Sequence, residues 1–237
     1  MYPQRWVSQV LRLVVLVTLA VLMLSACGGV EKEAKVRHLP DEAKALQPGE
    51  YRTEEFEPSF SFRVGKGWKN DPPEAFDFLL LGQKTGGLGA ANVQRVYEPS
   101  KSGTPIMVNT PKDLVGWLEH HPYLKTSDPE PVSVGGVEGL QVDVAVAKDL
   151  PEDYHSGVCS PIAEPEECVD LFRVSTHHSP IFVSESDKLR LIVLQNELSG
   201  ETVALGYASR STYFDGFAPE AQKVIDTIEW GDSKEPP

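Results

Sequence analysis

Two pairs of adjacent histidines are the first residues in this chain whose type could support metal chemistry, because imidazole is a common metal ligand. The pairs are His120-His121 and His177-His178. Adjacent side chains point roughly 100° apart on a helix and to opposite faces on a strand, so neither pair can readily hold one ion by itself. We expect His121 to pack against the fold and His120 to face solvent, and we predict no metal site at either pair.

An acidic segment within residues 149–170 is the second candidate, since calcium prefers carboxylate oxygens as ligands. The EF-hand spacing with its central glycine is absent from this segment. A solvated acidic loop is therefore the favoured interpretation, and a calcium site is the alternative. The acidic residues are Asp149, Glu152, Asp153, Glu164, Glu166, Glu167 and Asp170.

The motifs of common enzyme classes are missing from the sequence. It contains no G-x-S-x-G nucleophile elbow. The run Gly86-Gly87-Leu88-Gly89 lacks the Gly-Lys-Ser/Thr ending of a phosphate-binding loop. The sequence therefore predicts no catalytic residue, no metal ligand and no cofactor, and a hydrolase with an unrecognised site is the alternative.

The N-terminal segment determines where the chain is expected to reside. Arg5 and Arg12 precede an apolar run, Leu13 to Leu24, that is shorter than the roughly 20 residues of a membrane-spanning helix. Small residues follow, which is typical of a secretory signal. The sequence Leu24-Ser25-Ala26-Cys27 resembles the lipobox of bacterial lipoproteins. This resemblance implies cleavage before Cys27 and attachment of diacylglycerol to its thiol; the alternative is an uncleaved anchor helix.

The two remaining cysteines, Cys159 and Cys168, are expected to form a disulfide. Export would place them in an oxidising compartment, where cysteine pairs form bridges. The alternative is a metal site that includes His155, four residues before Cys159, but two thiolates and one imidazole would still need another ligand.

The net charge limits the classes of binding partner. The chain carries a formal charge of −13, and loss of the signal segment would remove two further arginines. Such a surface repels nucleic acid and anionic lipid headgroups. We therefore expect no nucleic-acid partner. The predicted contacts are the membrane, through the N-terminal lipid, and an envelope protein or a small ligand.

The sequence pattern predicts one α+β domain behind a tether. Residues 1–26 form the lipoprotein signal peptide, 27–52 a charged flexible membrane tether, 53–231 the globular domain and 232–237 a tail. Alternating polar and apolar residues predict strands, and their hairpin order predicts an antiparallel β-sheet with helices packed against it. The main predicted strands are 59–64, 76–81, 91–97, 140–146, 169–174, 181–184, 189–195 and 202–208.

Other local signals predict the helices and one loop. Thr110 as a cap and Pro111 at the first helical position predict a helix that ends at Pro122. An apolar stripe predicts a second helix over 219–228, preceded by Tyr213-Phe214-Asp215-Gly216-Phe217 as a staple or a recognition loop. Glycines 86, 87 and 89 predict a mobile hairpin connection.

Several runs together resemble known proteins. They are SFSFRVGKGW, VSVGGVEGLQVDV, LRLIVLQNELSGETVAL and FAPEAQKVIDTIEW. These runs resemble a group of exported bacterial lipoproteins of uncharacterised function. Their order is also similar, more distantly, to the PsbP-like fold. The resemblance implies an α/β/α sandwich and a non-catalytic scaffold that binds partners.

These observations predict a lipid-anchored extracytoplasmic lipoprotein that binds an unidentified ligand or partner without catalysis. The alternatives are a membrane-tethered hydrolase and a lipoprotein that delivers a ligand to a transporter. A cleft with converging acidic or histidine side chains would favour the enzyme. An apolar pocket would favour delivery, and a flat aromatic patch would favour a protein partner. The aromatic residues considered for a groove are Trp68, Trp117, Tyr123, Tyr154, Tyr207, Tyr213 and Phe214.

Overall fold

The computed structural model describes residues 36–70, 75, 77–100, 103–148, 150–152, 154, 156, 167–174, 180–194 and 202–231. These residues belong to one compact unit. They form two helices, α1 (Leu114–His120) and α2 (Ser211–Ile225). The strands are β1 (Arg37–His38), β2 (Lys44–Ala45), β3 (Gly49–Arg52), β4 (Phe60–Val64), β5 (Lys69–Asn70), β6 (Phe78–Gln83), β7 (Gly86–Val93), β8 (Arg95–Glu98), β9 (Ile106–Asn109), β10 (Leu124–Thr126), β11 (Glu130–Val134), β12 (Val137–Val146), β13 (Cys168–Arg173), β14 (Ile181–Ser184), β15 (Asp187–Leu194), β16 (Thr202–Arg210) and β17 (Glu229–Trp230).

A nine-stranded sheet forms the centre of the fold. Its order is β10-β12-β15-β16-β7-β6-β5-β2, with β11 paired to β12, and its strands pair antiparallel. Two four-stranded sheets accompany it, β1-β3-β4-β17 and β14-β13-β8-β9. The predicted α+β class, with antiparallel strands and a small number of helices, is confirmed.

The two faces of the central sheet pack against different layers, because side chains alternate along each strand. Ile192 and Leu205 face a core that contains α2 and the sheet β1-β3-β4-β17. Leu191 and Ala204, one position away on the same strands, face a second core that contains α1 and the sheet β14-β13-β8-β9. The central sheet is therefore covered on both faces, with one helix on each side.

The predicted flexible tether is wrong for residues 36–52. Strand β1 pairs in parallel with β3, and β2 pairs with β5. Leu39, Leu46 and Tyr51 are buried in the core that contains α2. The segment is polar overall, but these apolar side chains are sufficient to fix it to the sheets. Residues 27–35 and 232–237 lie outside the described part of the chain.

The glycine-rich run does not form a mobile connection. Gly86, Gly87 and Gly89 belong to β7, which pairs with β6 on one side and with β16 on the other. The connection between β6 and β7 is the short turn at Lys84 and Thr85. Pairing along both edges holds this glycine-rich strand in place.

Helix α1 begins later than the sequence predicts. The Asp113 carboxylate accepts a hydrogen bond from Gly116 N at 2.8 Å and so caps the helix. Thr110 instead donates from Oγ1 to the Val93 carbonyl at 2.8 Å. The expected cap at Thr110 is therefore wrong, because its hydroxyl binds the end of β7.

Helix α2 begins eight residues earlier than predicted and includes Pro219 in its interior. A proline normally interrupts a helix because it lacks a backbone N–H. Phe214 and Phe217 lie before the proline and are buried in the same core as Val224. This continuous buried face maintains the helix, so the aromatic run is neither a staple outside it nor a recognition loop. In the described ranges, no helix is long and apolar enough to span a membrane.

Candidate functional site

An apolar pocket of about 260 Å³ lies between the central sheet and the sheet β14-β13-β8-β9. Strands β6, β7, β15 and β16 supply one side, and the other comes from β13, β14 and the residue before β14. The lining residues are Phe78, Leu80, Gly87, Gly89, Ala90, Ala91, Phe172, Pro180, Ile181, Phe182, Leu189, Leu191, Ala204, Gly206 and Ala208.

The floor of the pocket consists of small residues on two paired strands. The register of β7 against β16 places Gly87 opposite Ala208, Gly89 opposite Gly206, and Ala91 opposite Ala204. These positions alternate with large residues that face the core containing α2, among them Leu88, Leu205 and Tyr207. The two strands therefore fill one face of the sheet with bulky side chains and leave a depression on the other.

Larger side chains enclose this depression. Leu80 of β6 and Leu191 of β15 lie on the strands that flank the floor, and Phe172, Ile181 and Phe182 reach the pocket from the other sheet. Phe182 is 41% exposed, which is high for a large aromatic residue. An apolar side chain in this position is accessible to a molecule that enters the pocket.

The pocket is closed at one end and accessible at the other. Ala91 and Ala204 are buried, whereas Gly87, Gly89 and Ala208 are partly exposed. Ala91 lies four positions after Gly87, so the floor is about 13 Å long at the strand rise of roughly 3.3 Å per residue. This shape suits an elongated apolar group that enters at the Gly87 end.

The predicted cysteine sites are only partly within the described chain. Cys168 is the first residue of β13, is buried, and takes part in a disulfide. Its partner lies outside the described residues, as do Cys27 and Cys159. The Cys159–Cys168 pairing and the lipid on Cys27 stay predictions.

The histidine prediction can be checked at one pair. His120 is exposed and His121 is buried, as expected, while His177 and His178 lie outside the described ranges. Burial lowers the pKa of His121 to about 4, and a hydrogen bond to the Tyr97 backbone opposes this only in part. Among the described residues, no group of three or more histidine, cysteine or acidic side chains could hold a metal ion.

Asp170 does not belong to a solvated acidic loop. It lies in β13 and is buried, and its Oδ1 accepts a hydrogen bond from the Ser156 hydroxyl at 2.6 Å. The Asp170 N–H donates to the Tyr154 hydroxyl oxygen at 3.3 Å. Burial raises the pKa of Tyr154 to about 12. These contacts join Tyr154 and Ser156 to the strand, which is a structural role.

A polar network on the opposite face of the sheet had no signal in the sequence analysis. The Arg190 guanidinium donates two hydrogen bonds to the Asp143 carboxylate, at 2.5 and 3.1 Å, and a third to the Tyr207 hydroxyl. Lys188 Nζ lies 3.1 Å from the same carboxylate. Burial alone would raise the pKa of Asp143, but the bonds and charges of Arg190 and Lys188 outweigh it and lower that pKa. These contacts link strands β12, β15 and β16.

The aromatic residues do not form the groove considered from sequence. Trp68, Tyr207 and Phe214 lie in the core containing α2, and Trp117, Tyr123 and Tyr154 pack against the core containing α1. Tyr213 is exposed, and none of the seven lines the pocket. The signal that could have located the pocket is the alternation of glycine or alanine at 87, 89 and 91 and again at 204, 206 and 208.

Comparison with known proteins gives little similarity. No protein family and no curated protein matches the sequence. A crystal structure of a protein from Bacteroides thetaiotaomicron VPI-5482 aligns with 74% of this chain at 12% identity and a TM-score of 0.34. The aligned part covers 46% of that protein, so the chain spans less than half its length. A likeness of this size supports no assignment of function.

Proposed function

We propose that this protein is a lipid-anchored extracytoplasmic binding protein that holds an apolar ligand in the pocket between its sheets. The observation that carries the proposal is the pocket lining: none of its fifteen residues has a charged or polar side chain. A cavity of about 260 Å³ is larger than the ~150 Å³ engineered cavity that binds benzene. Removal of an apolar ligand from water supplies the driving force, at roughly 25 cal/mol per Å².

The pocket favours binding over catalysis at this site. Its lining offers no nucleophile, no general acid or base and no metal ligand. An apolar pocket is also the feature expected of a lipoprotein that delivers a ligand to a transporter. Delivery is therefore the form of binding that the geometry supports best, and the hydrolase has no support from this pocket.

The anchor and location belong to the same proposal. A lipid on Cys27 would hold the cleaved chain, which carries a net charge of −15 without Arg5 and Arg12, at a membrane surface that its charge does not attract. The protein would then face outside the cytoplasm, close to a source of apolar molecules. We also propose the PsbP-like α/β/α arrangement, supported by the packing of α1 and α2 against opposite faces of the central sheet.

The test compares a variant that fills the pocket with a matched variant that does not. A Cβ at Gly87 would lie 3.4 Å from Leu80 Cδ1, an ordinary contact, so Gly87→Leu can add its side chain on the pocket side of β7. Gly65→Leu is the control, because a Cβ at Gly65, outside the pocket lining, meets nothing within 4 Å. Each full-length protein is purified from its own envelope in a bulky steroid detergent, and co-purified compounds are identified by mass spectrometry.

We expect the wild-type protein and Gly65→Leu to carry an apolar compound at a similar molar ratio. Gly87→Leu should carry several-fold less of it while it retains its circular dichroism spectrum. Equal amounts in all three proteins would overturn the proposal. So would a wild-type protein that carries a stoichiometric protein partner and no apolar compound.

A further inference from the structure

A positively charged side chain, Arg210, lies beyond the accessible end of the pocket floor. Ala204, Gly206, Ala208 and Arg210 occupy alternate positions of β16, so strand geometry places their Cβ atoms on one face. Arg210 is exposed, and within the described chain its guanidinium makes no hydrogen bond or ion pair. It lies about 7 Å beyond Ala208, two residues along the strand.

Other charged residues also lie at this end of the sheet. Lys84 lies in the turn between β6 and β7, and Glu185 lies in the turn between β14 and β15. Asp187 is directly opposite Arg210 in the register of β15 against β16. The Asp187 carboxylate already accepts a hydrogen bond from the Ser184 hydroxyl at 2.6 Å. Among these charged residues, Arg210 is the one that continues the floor along β16, whereas Lys84 and Glu185 lie in turns beside it.

We infer that the pocket takes a single-chain fatty carboxylate, with its hydrocarbon chain on the glycine–alanine floor and its carboxylate at Arg210. This inference rests on the proposed function and specifies the ligand class. A floor about 13 Å long suits one extended hydrocarbon chain that lies along the strands. A guanidinium binds a carboxylate through two parallel hydrogen bonds, which fixes which end of the ligand enters first. In a cleaved chain of net charge −15, without Arg5 and Arg12, a local cation is needed to hold an anionic headgroup.

Three probes of equal chain length distinguish the contribution of the headgroup to binding from that of the hydrocarbon chain. Dodecanoate, dodecanol and dodecylammonium are titrated into the full-length protein in the steroid detergent. The proteins are the wild type, Arg210→Gln, Arg210→Lys and, as a control for loss of one exposed positive charge elsewhere, Lys66→Gln. We expect Arg210→Gln to weaken the binding of dodecanoate at least about tenfold, because it removes a charge-assisted pair of hydrogen bonds exposed to solvent. The binding of dodecanol should not change. Arg210→Lys should recover part of the loss, and Lys66→Gln should have no effect.

Different results would overturn the carboxylate contact at Arg210 and the apolar binding site. If dodecanol and dodecanoate bind equally and Arg210→Gln affects neither, the headgroup inference is overturned while the apolar site stands. Tighter binding of dodecylammonium would also overturn it and assign the headgroup contact to Asp187 or Glu185. If no probe binds to any of the proteins, the proposed function fails with it.

Discussion

Gly206 of β16 lies directly opposite Gly89 of β7, so two glycines meet in the middle of a nine-stranded sheet. A Cβ at Gly206 would come within 2.9 Å of Leu191 Cδ2. Glycine normally weakens a strand, because it has no side chain to pack. Here Gly206 gives room to the side chain of Leu191, which lines the pocket that a ligand is proposed to occupy.

The lipid anchor can be tested at Cys27. We expect Cys27→Ser to abolish labelling of the protein by radioactive palmitate, because the predicted thioether and the cleavage that follows both require the thiol. The measurement is autoradiography of the immunoprecipitated protein, with Cys159→Ser as the control that should keep its label. Undiminished labelling of Cys27→Ser would contradict a lipoprotein anchor.

The partner of the disulfide at Cys168 can be found by alkylation without reductant. If Cys159 is the partner, Cys159→Ser should leave a free Cys168 thiol that iodoacetamide alkylates once the protein is unfolded in denaturant, because Cys168 is buried in the folded protein. It should also lower the free energy of unfolding by roughly 2.5–3 kcal/mol, the chain-entropy value for a loop of about ten residues. A Cys168 that becomes reactive in Cys27→Ser, and not in Cys159→Ser, would instead assign the bridge to Cys27.

The aromatic residues of α2 should differ sharply in their effect on stability. Phe217 is 1% exposed and contacts Trp68 and Tyr207, with ring centroids 6.0 and 6.4 Å apart. Its replacement by alanine should lower the free energy of unfolding by about 3–5 kcal/mol through cavity formation. Tyr213, on the same helix, is 55% exposed. Tyr213→Ala should change the free energy of unfolding by less than about 0.5 kcal/mol. Urea denaturation measures both, and a large effect at Tyr213 would show that its side chain has an unrecognised role.

The protonation of His121 should make stability fall in mild acid. The pKa is about 4 in the folded protein and 6.5 for an unperturbed histidine, so between these values the unfolded chain binds more protons. The contribution of neutral His121 to the free energy of unfolding is fully present above pH 6.5 and is lost as the pH falls to 4. The expected loss is about 2–3 kcal/mol.

The matched variants for this prediction are His121→Gln and His120→Gln. Urea denaturation at pH 7 and pH 4.5 should show a smaller acid-dependent loss in His121→Gln than in the wild type. His120 is exposed, so His120→Gln should keep the wild-type dependence. The prediction fails if His121→Gln and the wild type lose the same free energy between the two pH values.

Strands were the best predicted part of the fold, because their signal is local. Alternation between Leu140 and Val146 predicted most of β12, and the apolar runs after Leu189 and Thr202 predicted β15 and β16. The start of α2 could not be predicted in this way, since it depends on contacts of Phe214 and Phe217 with distant strands. Local rules assign Pro219 to a helix start, and tertiary packing overrides them.

The candidate site was missed for a related reason. Gly87 and Ala208 are 121 positions apart in the sequence, and only the register between β7 and β16 makes them neighbours. A glycine-rich run by itself is typical of a loop. Its role as the floor of a pocket becomes visible only when the second small-residue strand is placed beside it.

Photocrosslinking can locate a bound apolar chain, because the probe modifies the residues beside it. A dodecyl probe with a diazirine near its methyl end is irradiated with the full-length protein, and the modified peptides are sequenced by mass spectrometry. If the chain lies in the pocket, the segments that contain Ala91 and Ala204 should be modified. The modification should be strongly reduced in Gly87→Leu and should stay at the wild-type level in Gly65→Leu. Modification centred on the exposed Ile106 and Met107 of β9, unchanged in Gly87→Leu, would contradict it.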